Sequence, residues 1–211
     1  MYDVRPNFII GFHGCEELTR DKLISNPNEM VFSKKPYDWL GHGMYFWENN
    51  YTRAMLWAEE KKEKGTIKKP AVLGAAIHLG YSCDFLDSKY IQLVQHYYTS
   101  FKNRSEISGD ELPKNKDVPS DPKGDLLLRN LDCAVIEHMH QQIFENWKKE
   151  IEENGNSSIR NFDTTRGVFT EGGPAFEGAG LLKKAISRCV SVIQTVSRGS
   201  LFPGKKWLFH S

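Results

Sequence analysis

Two glycine-punctuated stretches hold the residues whose chemistry goes beyond packing. They are Phe12-His13-Gly14 and Leu40-Gly41-His42-Gly43-Met44-Tyr45-Phe46-Trp47-Glu48. Glycines at 41 and 43 open backbone torsions closed to other residues and let a ligand approach the main chain closely. The aromatic run Tyr45, Phe46 and Trp47 has two readings, core filling or a flat apolar wall for a planar ring. A third cluster, Glu137-His138-Met139-His140, suggests a metal, but histidines at i and i+2 point to different helix faces, so no metal site is expected. Cys15, Cys83, Cys133 and Cys189 contain no C-x-x-C pair. That argues against a zinc site or a disulfide framework and for a reduced, cytoplasmic setting.

These residues must be positioned by the elements around them. Residues 7 to 14 are an apolar run closed by a glycine and predict a short buried strand, with His13 at its end. A short helix over 16 to 24 stops at Asn26 and Pro27. The hinge delivers Tyr45 and Phe46 to the head of a helix that Asn49 or Asn50 caps and that runs to Lys64, with Glu48 as a carboxylate favoured by the helix macrodipole. Residues 71 to 79 predict a central strand in which His78 is a core histidine. Helical patterns follow over 88 to 101 and 125 to 153, separated by a polar, proline-bearing loop or insertion at about 102 to 124. Strands are expected at 166 to 171 and 185 to 193, and an edge strand near the end of the chain.

The 211 residues predict a single domain spanning 1 to 211. Twenty-eight basic residues against 27 acidic ones leave no overall field to steer the chain to nucleic acid or membrane. The short apolar run at 8 to 10 is too brief for a signal-peptide core or a span, so no membrane association is expected. Short strands interleaved with irregular helices predict an α+β fold with small, mainly antiparallel sheets.

Phe12-His13-Gly14, followed about 30 residues later by Leu-Gly-His-Gly-Met-Tyr-Phe, resembles the first two motifs of the NAD-dependent ADP-ribosyltransferases, in the His-Tyr-Glu branch that includes diphtheria toxin and the poly(ADP-ribose) polymerases. In the polymerases the second motif opens a strand leading into a helix with an alanine nine residues after the tyrosine; Ala54 stands at that position. The resemblance covers residues 8 to 60 and weakens afterwards. It implies two small sheets forming a split sandwich with an NAD cleft, flanked by helices, and NAD as co-substrate. The bond between nicotinamide and ribose would break through a state resembling the oxocarbenium of glycoside hydrolysis.

The same resemblance implies roles. His13 would bond the adenosine ribose, the Gly14 backbone would grip the nicotinamide amide where a side chain would obstruct it, and Gly43 would line the site. Tyr45 would stack on the nicotinamide ring. The second aromatic wall falls on Leu56, unless Trp57 substitutes for it. The glutamate that offsets the ribosyl charge is Glu171, with Glu177 as second choice.

The implied function is mono-ADP-ribosyl transfer to a macromolecule. Trp207 beside Lys205 and Lys206 places nucleic acid such as RNA slightly ahead of protein as acceptor. The Lys61-Lys62 cluster is explained equally well by a solvated helix face. Residues 166 to 203 resemble small bacterial members of the superfamily, some of which are toxins of toxin–antitoxin or antiviral defence modules, so an inhibitory antitoxin partner is expected by analogy. Alternatives are a catalytically inactive ADP-ribose- or partner-binding module, an NAD-dependent RNA 2′-phosphotransferase, and an α+β domain whose glycines and aromatics only make turns and core.

Overall fold

The computed structural model describes residues 7–118, 126–172, 184–192 and 208–210. In chain order the elements are β1 (Phe8–Glu16), α1 (Glu17–Ser25), a 3-10 turn (Pro27–Glu29), β2 (Met44–Glu48), α2 (Tyr51–Glu63), β3 (Pro70–His78), β4 (Ser82–Asp84), α3 (Ser88–Ser108), α4 (Asn130–Asn154), β5 (Thr164–Gly172), β6 (Lys184–Val192) and β7 (Leu208–His210). The chain is α+β. Its strands join in the order β4-β5-β6-β2-β1-β3-β7, and β4 and β5 run parallel while the other pairings are antiparallel.

Two sheets were expected, and β1 is the reason there is one. It pairs with β3 from Phe8 to Glu16, but with β2 only through Gly11↔Glu48 and Phe12↔Trp47. Beyond Phe12 it continues beside β3 and leaves β2. The sheet is therefore nearly divided at this seam, and the gap opens beside His13 and Gly14.

Each face of the sheet has its own core. Ile9, Cys15, Met44, Phe46, Leu73, Ala75 and Ile77 pack with Leu23 of α1. Leu40, Trp47, Ala54, Val72 and Cys189 form a second cluster that includes α2, and Cys83, Tyr90, Ile136, Met139, Ile143 and Phe162 form a third between α3, α4 and the β4 end. No helix among the described residues is long and apolar enough to cross a membrane.

Several local expectations change. Tyr45 and Phe46 lie in β2 rather than at a helix head, because Met44 to Trp47 pair residue for residue with Val192 to Cys189. The helix starts at Tyr51, where the Asn50 side chain accepts from the Arg53 N–H at 2.9 Å. Glu48 consequently ends a strand ahead of the Asn50 cap, with its carboxylate on Arg166. His78 is exposed, since strand alternation buries Ile77 and turns His78 outward at the end of β3. Helix α3 runs to Ser108, so the first part of the expected loop is helical; nothing between Lys102 and Ser108 breaks a helix, and Gly109 ends it.

Candidate active site

At the seam, a side chain takes over from the ladder. His13 Nδ1 lies 2.7 Å from the Tyr45 carbonyl. A carbonyl only accepts, so Nδ1 carries the proton and donates. Burial lowers the His13 pKa to about 4, partly opposed by this backbone bond and reinforced by the Lys61 charge. At neutral pH the ring is uncharged, with Nε2 left as an acceptor.

Tyr45 is anchored at its far end. Its hydroxyl donates to the Gly41 carbonyl at 2.6 Å and accepts from the Leu40 N–H at 2.8 Å. Burial pushes the phenol well above its ordinary pKa, so it remains a donor. Gly41 takes φ +77, a left-handed torsion that favours glycine. Helix α4 locks the same turn from outside: the Glu137 carboxylate accepts from the His42 N–H at 2.6 Å and lies 3.0 Å from His42 Nδ1. The Trp39 indole donates to the Leu127 carbonyl at 2.9 Å. The hinge is thus held by contacts distant in sequence.

His13, Gly14, Gly43, Tyr45 and Trp47 line a cavity of about 580 Å³. That lies within the roughly 300–1,000 Å³ range of small-molecule sites. Trp57, Lys35, Lys61 and Lys64 line it too, with Asp38 and Glu60 as its carboxylates. Val118, Leu127 and Leu128, from the loop between α3 and α4, close another side. Lys116 and Leu128 bond each other's backbone at 3.0 and 2.9 Å, and the Asn115 side chain accepts from the Leu131 N–H at the start of α4. This part of the polar loop is tied down.

The expected site residues divide. His13, Gly14, Gly43 and Tyr45 meet at the cavity. Leu56 is 48% exposed and does not line it; Trp57, one position on, does. Gly14 has a reason of its own to lack a side chain. A Cβ there would stand 2.1 Å from the Ala54 carbonyl oxygen, so glycine is required for α2 to lie this close to β1.

Glu171 falls elsewhere. Tyr45 pairs with Ser191, and Ser191 with Thr165, which puts Glu171 six positions farther along β5, paired with Ala185. At about 3.3 Å per residue its backbone is roughly 20 Å beyond the Tyr45 level, past the end of β2 and away from the seam. Glu177 lies outside the described residues, as do Lys205, Lys206 and Trp207.

Lys35 and the loop residues Val118, Leu127 and Leu128 carry no signal in the sequence, and Lys61 stands out only as half of a basic cluster that a solvated helix face explains equally well. Lys61 sits at the helical spacing of four from Trp57, but nothing local says which face of α2 meets a cavity. The two α4 histidines part company, His138 beside Ser100, Tyr97 and Phe101, and His140 beside Thr165 and Phe162.

His140 also has its pKa lowered by burial to about 4. With His13, it should make the fold acid-sensitive. Between about pH 6.5 and 4 the unfolded chain binds protons on these imidazoles that the folded chain refuses, so stability falls as pH falls through that window. His140→Phe should flatten the slope of unfolding free energy against pH, measured by urea titration at several pH values. An unchanged slope would count against a neutral, buried ring.

No protein-family model matches the chain, and neither a curated protein nor a solved structure matches it.

Proposed function

We propose that the protein is an NAD-dependent mono-ADP-ribosyltransferase that moves ADP-ribose from NAD to a macromolecule and releases nicotinamide. The observation that carries the reading is the seam: β1 and β2 part after Phe12, and the neutral His13 spans the gap to the Tyr45 carbonyl beside a ligand-sized cavity. This split favours the ADP-ribosyltransferase-like fold. His13 Nε2 is available to accept from a ribose hydroxyl, and Tyr45, held by Leu40 and Gly41, offers a fixed aromatic surface for the nicotinamide ring. Trp57 takes the part first expected of Leu56. The residues present suit NAD as a co-substrate: an acceptor, backbone next to glycines, aromatic surfaces and a cationic wall.

A second reading, a module that binds ADP-ribose without cleaving NAD, is favoured by the position of Glu171. Without that carboxylate, the ribosyl cation would be offset by Asp38 or Glu60 from the described cavity wall, or by Glu177. Burial raises the Asp38 pKa while the Ser33 hydroxyl and Lys35 N–H hold its carboxylate in place.

The acceptor is tested by incubating the purified protein with labelled NAD and fractionated cellular protein, RNA and DNA. Label on RNA or DNA is the expected result. Label on protein alone would move the acceptor class, and no label on any fraction would leave the binding-module reading.

A further inference from the structure

The cavity is lined by two lysines that form no ion pair among the described residues, Lys61 half-buried and Lys35 exposed at its mouth. Lys61 is half-buried on α2, its ammonium 5.6 Å from the Trp57 ring centroid, whereas its neighbour Lys62 is exposed. Lys35 reaches the same wall from the loop before the hinge, its ammonium 5.7 Å from the Tyr37 ring. Among the described residues neither lysine has a carboxylate within 4.0 Å. The two cavity carboxylates are engaged elsewhere. Asp38 accepts from Ser33 and the Lys35 backbone N–H, and Glu60 lies 3.5 Å from Arg53.

Burial lowers the Lys61 pKa, and the Lys35 charge lowers it further. The exposed Lys35 and the partly desolvated Lys61 repel each other across this wall, and an anion placed between them removes that cost. The His13 ring feels the same Lys61 charge and lines the same cavity.

We infer that Lys35 and Lys61 form an anion subsite that seats a diphosphate, with Lys64 at its exposed rim. Its assignment to the diphosphate of a dinucleotide rests on the NAD reading above; the preference for diphosphate rests on the two lysines. The ribose beside the diphosphate would then meet His13, and Trp57 would wall the same compartment. A competing explanation is that Lys61 only lays its hydrocarbon stem over Trp57. Lys61→Met keeps that stem and removes the charge, so it separates the two.

The test is isothermal titration of inorganic diphosphate, ADP-ribose and adenosine into wild-type protein and into Lys61→Met, Lys61→Arg and Lys35→Met, with folding checked by circular dichroism. Diphosphate and ADP-ribose should bind about tenfold or more weakly to Lys61→Met, as expected for loss of a charged contact. Lys61→Arg should retain most of the affinity, Lys35→Met should lose part of it, and adenosine should bind all four proteins alike. Wild-type binding of diphosphate by Lys61→Met, or no binding of diphosphate by any protein, overturns the subsite. Diphosphate bound in this lysine-dependent way, with no binding of ADP-ribose and no cleavage of NAD, supports the subsite and removes the dinucleotide reading.

Discussion

Arg166→Met is expected to lower the unfolding free energy by about 3–5 kcal/mol. Arg166 gives Nε to Glu48 Oε2 at 2.8 Å, Nη2 to Glu48 Oε1 at 2.6 Å, and Nη1 to Asp84 Oδ2 at 3.1 Å. The Arg166, Glu48 and Asp84 side chains are 11%, 6% and 8% exposed. Burial works against the arginine's charge, and the bonds to Glu48 and Asp84 outweigh it, raising its pKa.

The guanidinium bridges β5 to the end of β2, although β6 lies between them, and to β4 on its other side. Methionine fills much of the same volume but removes the positive charge that the buried Glu48 and Asp84 carboxylates share, while Asp84 keeps its bond from the Leu86 N–H. Arg166→Lys keeps a charge without the bidentate fork and should fall between methionine and wild type. Urea unfolding followed by circular dichroism measures all three. A loss under about 1 kcal/mol for Arg166→Met would mean that water reaches the cluster, as at a surface pair.

Gly14→Ala is the second large effect, at about 1–3 kcal/mol from overpacking alone. The added Cβ would meet the Ala54 carbonyl oxygen at 2.1 Å and the Ala58 nitrogen at 3.2 Å. Both are backbone atoms, so no side-chain rotation relieves the contact, and α2 must move away from β1. Ala54 and Ala58 are fully buried, which leaves the helix no slack there. Because Trp57 and Lys61 ride on α2, the shift should also disturb the cavity. Ala54→Gly should not rescue Gly14→Ala, since the clash is with the carbonyl. Rescue in a thermal melt would show that the side chain of Ala54 sets the helix distance.

The parts of this fold written in short-range pattern were legible. The apolar run ending at Gly14, the Asn50 cap and the continuous apolar stretch of β3 each depend on neighbours in sequence, and each appears nearly where expected. What escaped depends on partners far away. Glu48 is understood only with Arg166, 118 positions later, and the hinge only with Glu137, 95 positions after His42. The aromatic run on its own residues reads as the head of the following helix, whereas Tyr45 lies within a strand, because β2 is defined by pairing with β6 and not by local propensity. Lys61 was indistinguishable from Lys62 until α2 had a sheet to lie on. The Glu171 expectation relied on proximity to a strand terminus, whereas the register of β5 against β6 decides where along the cavity a residue falls.

The seam as an NAD site is tested most directly by the rate of nicotinamide release from NAD by wild-type protein and by His13→Ala, with both shown to be folded by thermal melting. Release by the wild type is expected, with a rate lower by about two orders of magnitude in His13→Ala, the scale of losing a positioning contact. Absence of release by the wild type, or equal release by the two proteins, would contradict it.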